Sequence, residues 1–407
     1  MVETKQAQEP QGDSRPPPSW LNKELIQQAL RNAGDSNSQV ETIDVSVPVA
    51  AGDNYGSSIY RAKATLTDGQ ERSFIIKGPA AGAALSSATT EGRTFEREVT
   101  MLAQVIPQME ALLEEAAPGR FPPLAPRCYH HGTSPVEFLV MEDLAPSGFK
   151  LADRKRGLGL RHSLLALRSL ARFHAASHAL LRRQPELVEK LDNTWRAIDK
   201  SMRVFVKGQI QGAVEATRSW PGFEECADRL EKFKDVAMDM FAQLNDPKDG
   251  AFNVITHGDY WMNNMMFCYE DGEVKGHRAL DLQIAHVASP AIDLVYFLTS
   301  SLNDHIHEHH QDLLLREYHC ELKETMELLG LQAPSLEALL SAVDVHGPFS
   351  LFLAMARPIL KAEHGLDVNA IFSGDHSCLV PVYELPEVKT WMQRILRDYV
   401  RTGWLPA

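Results

Sequence analysis

The hydrophobic repeat of this chain changes character once, and that change limits the folds open to it. Over residues 40–78 apolar and polar residues alternate: Val40, Ile43, Val45, Val47 and Val49, then Ile59 to Leu66, then Ser73-Phe-Ile-Ile-Lys77 after the turn Asp68-Gly69. A period of two belongs to strands with one buried face, so the spacing predicts an antiparallel meander. More strand-like sequence follows Pro122 and Pro123: Arg127 to His131, then Glu137 to Met141. Beyond about residue 150 the repeat is helical almost to the end. Strands gathered at one end and helices at the other imply an α+β chain rather than alternating βαβ units. The spacing places a disordered tail at 1–18, a sheet-containing lobe at 19–145 and a mostly helical lobe at 146–407, a length that allows each lobe its own core.

Within this frame Ser19 is the expected cap of a helix carrying Leu25, Ile26, Ala29 and Leu30, ended by Gly34 and Asp35. A helix is expected over Glu91–Gln104, another over 160–181, and two over 194–247 with a break near Ser219-Trp-Pro-Gly222. Asp271-Gly272 reads as a tight hairpin turn. Ser289-Pro-Ala-Ile-Asp293 should start a helix, with further helices at about 305–329, 335–345, 347–357 and 386–402.

The net charge of −13 argues against a nucleic-acid or anionic-membrane surface. Five scattered cysteines without a C-x-x-C argue against a disulfide framework or a zinc site. No stretch approaches 18 apolar residues and the N-terminus is polar, so a cytoplasmic protein is expected. Nothing calls for an obligate protein partner.

The chemistry is concentrated in Ile255-Thr-His-Gly-Asp-Tyr-Trp-Met-Asn-Asn264 and Ala279-Leu-Asp-Leu-Gln-Ile-Ala285. A carboxylate followed five positions later by an amide, then by a second carboxylate, is the order that kinase-type phosphoryl transfer needs. Asp259 is the candidate base for a substrate hydroxyl. Asn264, with Asn263 as its rival, and Asp281 are the candidate oxygen ligands for the magnesium that accompanies ATP. Asp281 lies among Ala279, Leu280, Leu282 and Ile284, which suggests a dry strand, where a cation would offset its burial. His257 reads as a structural residue holding the loop, and Asp293 as a helix cap that braces it. Lys77, at the end of an apolar strand, suits a clamp on the α/β-phosphates. Glu98 is its expected carboxylate partner, with Glu91 and Glu96 as alternatives, because Glu98 shares a helix face with Phe95. Gly52, Asn54, Gly56 and Ser57 lie in a turn-rich segment that could cover phosphates with backbone N–H groups. A P-loop is excluded, since no G-x-x-x-x-G-K-[ST] occurs. The histidines at 305, 307, 309 and 310 read as a solvated helix face or part of the substrate rim rather than a metal site.

These segments resemble a known family. His-Gly-Asp-Tyr-Trp-Met-Asn-Asn264, Leu280-Asp-Leu-Gln with Ser289-Pro-Ala-Ile-Asp-Leu-Val-Tyr-Phe297, Leu139-Val-Met-Glu-Asp-Leu144 and Phe74-Ile-Ile-Lys77 are similar to motifs of ecdysteroid kinase-like proteins, relatives of choline kinases and aminoglycoside phosphotransferases. The resemblance covers nearly all the chain after residue 19. It implies a bilobal protein-kinase-like fold, ATP and Mg2+ as cofactors, and transfer of the γ-phosphate to a small-molecule alcohol, with ecdysteroids the precedent. It places the base on Asp259, the metal ligands on Asn264 and Asp281, and the phosphate clamp on Lys77 with Glu98. Glu142 to Leu144 would be the hinge that meets adenine. Leu282 stands where Phe is common. The alternatives are a choline- or aminoglycoside-type or xenobiotic acceptor, and a catalytically silent nucleotide-binding protein of the same fold.

Overall fold

Five strands form one antiparallel sheet: β1 (Val40–Ser46), β2 (Ser58–Leu66), β3 (Glu71–Gly78), β4 (Cys128–Gly132) and β5 (Phe138–Glu142), in the order β1-β2-β3-β5-β4. The computed structural model describes residues 17–48, 58–78, 93–197, 199–361 and 368–405. Contacts divide the chain into two compact units, one comprising residues up to 81 with Arg127–Asp143, the other Gly82–Pro126 with Leu144 onward. The small sheet and the mostly helical C-terminal part make an α+β chain, consistent with a protein-kinase-like fold.

In the sheet unit, the alternation of apolar residues puts Ala62, Ala64, Leu66, Phe74, Ile76 and Val140 into one core with Ile26, Ala29 and Leu30 of the Lys23–Asn32 helix. Burying Ile26 or Leu30 there contributes about 1.5–3 kcal/mol each relative to exposure. The helix cap is Asn22, whose side chain accepts from the Leu25 N–H, and not Ser19 as expected. Asn22 stands three residues before that orphan donor, whereas Trp20 and Leu21 precede the helix. Asp143, at the end of β5, accepts from Arg61 Nε at 2.7 Å and from the Ser73 hydroxyl at 2.6 Å, joining three strands.

The helical unit is built on the Leu160–Arg183 helix, which packs along Gln311–Leu328. Its buried face carries Ala166, Leu167, Leu170, Ala171 and Ala175, and the small residues let neighbouring elements approach closely. Against it lie a three-stranded sheet of β6 (Phe149–Leu151), β8 (Met265–Glu270) and β9 (Glu273–Ala279), and the pair β7 (Val254–Thr256) with β10 (His286–Ala288). Asp271 (φ 51°) and Gly272 (φ 78°) form the expected turn between β8 and β9. The helix expected over Glu91–Gln104 is longer. Thr94–Thr100 runs into a wide turn at Met101–Val105 and on through Ile106–Ala116. The Ile106 N–H reaches back five residues to the Met101 carbonyl, so the widened turn delivers Pro107, which has no N–H, into the first turn of the next segment.

Among the described residues no single helix is long and apolar enough to cross a membrane. Only the bent pair Leu336–Val345 with Phe349–Met355 reaches that length and composition together. All five cysteines are free thiols.

Candidate active site

The connection from β7 to β8 carries His257, Gly258 and Asp259 and closes on a 3-10 turn at Met262–Asn264. Its conformation is dictated by backbone constraints. Gly258 sits at φ +83°, and a Cβ there would lie 2.5 Å from the Ile284 carbonyl oxygen, so only glycine fits. The helix Ala291–Ser300 supplies the second constraint. Asp293 accepts the His257 N–H at 2.7 Å on Oδ2 and the Gly258 N–H at 2.9 Å on Oδ1. Oδ2 also accepts from His174 Nε2 at 2.9 Å, and His174 Nδ1 pairs with the Tyr318 hydroxyl at 2.7 Å. His174, Asp293 and Tyr318 are fully buried. Burial alone would push the Asp293 carboxyl up, but the hydrogen bond and charge of His174, with His257, hold it below its ordinary value. The carboxylate is therefore a fixed anion under the loop. Asp293 braces the loop as expected but does not cap its helix. Pro290 occupies that position, and Asp293 spends its oxygens on the loop instead.

His257 holds the loop from the other side. Nε2 donates to the Leu280 carbonyl at 2.9 Å, and Nδ1 accepts the Asp259 N–H at 3.3 Å. Burial lowers its pKa against the pull of Asp293 and Asp281, which favours the neutral ring with its proton on Nε2. Its role is structural, tying the Asp259 backbone to the segment before Asp281.

Asp259 and Asn264 meet. Asn264 Nδ2 donates to Asp259 Oδ2 at 2.8 Å and to the Asp259 carbonyl at 3.0 Å. With both amide hydrogens directed at Asp259, the carboxamide oxygen of Asn264 is the atom left to meet a cation. Burial, the largest influence, raises the Asp259 carboxyl to about 6, although hydrogen bonds from Tyr296 and Asn264 favour the ionised form and Asp281 and Asp293 oppose it.

Asp281 is joined to this group through the backbone, since the Leu280 N–H donates to the Asn264 carbonyl at 2.9 Å. Its charge is felt at both Asp259 and His257. It is not on a dry strand as expected. β9 ends at Ala279, and Asp281 adopts φ +64° in the following turn, half-buried. Aspartate tolerates this left-handed conformation better than most residues; of the apolar neighbours that suggested a strand, Ala279 ends β9, and Leu280, Leu282 and Ile284 follow it outside any strand. Among the described residues no group of three or more His, Cys, Asp or Glu side chains could hold a metal by itself, the histidines at 305–310 included. The donors near Asp259 are two carboxylates and one amide.

Lys77 lies on β3 and is 3 % exposed; Glu98 lies on the Thr94–Thr100 helix and is 2 % exposed. They belong to different units. Glu96 is exposed and paired with Arg93 at 2.6 Å, and Glu91 lies outside the described residues. Gly52, Asn54, Gly56 and Ser57 also lie outside them. In the segment expected to be the hinge, the Glu142 N–H donates to the Arg127 carbonyl at 2.9 Å, and the Leu144 carbonyl accepts from Ser147 at 3.1 Å and Phe149 at 3.3 Å. An adenine would have to use other backbone atoms of Glu142–Leu144.

Two residues escaped the sequence reading. Arg97, buried beside Glu98, donates through Nη1 to the Asp192 and Ala285 carbonyls, each at 3.1 Å, and through Nη2 to Asp192 Oδ1 at 2.7 Å. It pins the Glu98 helix to the chain just beyond Asp281. Tyr296, one helical turn after Asp293, is buried, and its phenol is raised well above its ordinary pKa, first by burial and then by the Asp259 charge. Its place in the Ser289-to-Phe297 motif, three residues after Asp293, was the signal for it.

A model of the ecdysteroid kinase-like family matches residues 51–331, well over half of the chain. No curated protein matches it.

Proposed function

From the premise that this chain belongs to the ecdysteroid kinase-like family, we propose that it is an ATP-dependent small-molecule kinase that phosphorylates a hydroxyl of a steroid-like alcohol. The observation that carries the reading is Asp259: a carboxylate raised to about 6 by burial, held by the Asn264 amide at 2.8 Å, and within the field of the Asp281 and Asp293 charges. A base of that strength is well matched to a transient interaction with an alcohol proton near neutral pH.

In the reaction the acceptor oxygen attacks the γ-phosphorus of ATP. The new O–P bond forms as the bond to the bridging oxygen of ADP breaks, and the acceptor's proton passes to Asp259. Most of the catalysis in such a transfer is positioning and charge stabilisation rather than covalent chemistry. Asn264 and Asp281 are the residues that would hold magnesium. Their hard oxygen atoms suit it, and a cation would relieve the repulsion between Asp259 and Asp281. When bound, magnesium supplies neutralisation of the phosphate charge. Water and phosphate oxygens would complete its shell, in keeping with a protein donor set too small to enclose a metal. To Lys77 we assign the grip on the α/β-phosphates and to Glu98 the role of its partner carboxylate, as the resemblance implies. The reading carries with it a cytoplasmic enzyme that needs no nucleic acid, membrane or protein partner.

The test is ADP release from Mg-ATP by the purified protein against ecdysteroids, choline, aminoglycosides, sugars and plant phenolic glycosides. The expected result is turnover with an ecdysteroid or a similar apolar alcohol that is lost in Asp259→Asn. Turnover of choline or an aminoglycoside alone would replace the acceptor class. ATP binding with no turnover of any alcohol would overturn the kinase reading.

A further inference from the structure

Two helices distant from the loop in sequence are locked to each other and to it. On Leu160–Arg183, Arg168 Nη2 donates to Glu317 at 2.7 Å and Arg172 Nε donates to Glu321 at 2.6 Å, both glutamates on Gln311–Leu328. The partners are four apart on each helix, so the two ion pairs fix one register between the helices. That register sets Tyr318, next to Glu317, against His174, with the rings 5.9 Å apart and edge to face. The Tyr318 hydroxyl lies 2.7 Å from His174 Nδ1, and His174 Nε2 lies 2.9 Å from Asp293 Oδ2. We propose that Tyr318 is a positioning residue for phosphoryl transfer: acting through His174, it fixes the rotation of the Asp293 carboxylate and thereby the loop that carries Asp259. The proposal rests on the reading of Asp259 as the base.

The physical case begins at Asp293. Its Oδ1 accepts the Gly258 N–H, and its Oδ2 accepts the His257 N–H and His174 Nε2. The two loop amides are what the carboxylate has to hold, so they cannot also be what steadies it. Rotation about Cβ–Cγ is broad in aspartate, and His174 is the donor from outside the loop that restrains it. An imidazole has the same weakness, because its terminal torsion is broad too, and a ring bonded at one nitrogen can swing. A carboxylate only accepts, so Nε2 carries the proton and Nδ1 is left for the phenol's O–H. A bond at each nitrogen fixes the ring plane. The Tyr318 hydroxyl stays a donor, since burial, and then the Asp293 charge, raise its pKa well above the ordinary value. Tyr318, His174 and Asp293 are each 0 % exposed, so no solvent stands by to replace a missing partner, and the loss of one bond is passed to the next. Without the phenol, Nδ1 is a bare acceptor in a dry site, and rotation of the ring toward another partner draws Nε2 off Oδ2. Asp259 follows directly on the amides that Asp293 holds. A base displaced in this way costs turnover more than nucleotide binding.

The experiment compares the full-length wild type with Tyr318→Phe and Asp259→Asn. Phenylalanine keeps the ring and its packing and deletes only the donor. Hydrogen exchange read peptide by peptide reports on the loop without needing turnover. Segments covering His257–Asn264 should exchange about 10-fold faster in Tyr318→Phe, with Gln311–Leu328 and Leu160–Arg183 within about twofold of wild type. In steady-state kinetics with whichever alcohol of the screen gives the highest rate, kcat should fall about 10-fold with KM for ATP within about twofold. Incorporation of 3-fluorotyrosine at position 318, which keeps a hydroxyl donor, should restore both readings. Wild-type exchange in the loop overturns the inference, whatever kcat does. So does faster exchange that is as large in Gln311–Leu328 as in the loop, since that pattern marks a packing role. Faster exchange in the loop with a wild-type kcat removes Tyr318 from the reaction and overturns the inference as well. Full activity in Asp259→Asn would instead overturn the reading on which the inference stands, and the exchange result would show it separately.

Discussion

Replacing Asp259 with asparagine should have two opposite effects: loss of turnover and a more stable metal-free protein. The folded carboxyl titrates at about 6 against an ordinary value of 3.8, with burial the main cause. The folded chain thus holds a proton that the unfolded chain has already released. Stability falls as pH rises through the interval from about 4 to 6 and is flat above it. At about 1.36 kcal/mol per pH unit, the ionised carboxylate costs about 3 kcal/mol of stability at pH 8 and about 1.6 kcal/mol at pH 5. Asp259 keeps a partial opening to solvent, so these are upper values. Asparagine cannot ionise and escapes the cost, but it forfeits one of the donors aimed at the carboxylate, a loss of about 1 kcal/mol. That loss is the same at both pH values and drops out of their comparison. The variant's advantage over wild type should therefore grow by about 1.4 kcal/mol between pH 5 and pH 8.

The assay is urea unfolding of both proteins in a chelator, followed by tryptophan fluorescence and far-UV circular dichroism, at the two pH values. In parallel, kcat should fall by about 10²–10⁴-fold in the variant with little change in KM for ATP. An advantage that does not depend on pH, or a variant less stable at pH 8 than at pH 5 relative to wild type, would mean that Asp259 is not the desolvated carboxylate described above. Retention of the wild-type rate would remove it from the chemistry.

Other substitutions test the frame around it. Gly258→Ala forces a Cβ against the Ile284 carbonyl in a left-handed backbone, and should cost at least about 1–3 kcal/mol in chemical unfolding and most of the activity. Asp293→Ala strips the His257 and Gly258 N–H groups and His174 of their common acceptor; a loss of about 3–5 kcal/mol is expected, and a loss under about 1 kcal/mol would refute its bracing role. Asp281→Asn should raise the magnesium concentration needed for half-maximal rate while leaving the stability of the metal-free protein almost unchanged. Arg97→Lys replaces a planar fork, whose two Nη atoms bridge two segments, by one point donor, and a loss of about 1–3 kcal/mol is expected in the same unfolding assay.

The sequence was readable where the physics is local. The strand-like segments found the five strands of the sheet, because a one-residue slip would turn a strand's apolar set to solvent; the first was overrun, the expectation continuing it to Val47 and Val49 whereas β1 ends at Ser46. Asp271-Gly272 announced its hairpin for a similarly local reason, the positive φ values it must adopt. The five-residue step from Asp259 to Asn264 was informative because the 3-10 turn Met262–Asn264 brings the amide back onto the Asp259 carboxylate. Local reading failed at Asp281, where four apolar neighbours fit a strand as well as a tight turn, and hydropathy carries no information on the sign of φ. It failed also at Pro107, where a widened turn lets a helix run on past a residue that normally ends one.

What could not be read are contacts made by residues far apart in the chain. Asp293 lies 35 and 36 positions from the amides it holds, and Arg97 lies 188 from the Ala285 carbonyl. Asp293 was readable as a brace but not by which amides it holds, and nothing in the composition around Arg97 distinguishes it from a surface charge, yet it is buried. These contacts share a logic. The loop that carries Asp259 has little regular structure of its own, so its backbone N–H groups need partners from elsewhere. A helix with no side-chain cap offers its first acidic residue, Asp293, to them. The loop and the helix Ala291–Ser300 thus act as one mechanical piece: a substitution on the buried face of that helix should disturb the base even where it touches neither Asp259 nor any substrate.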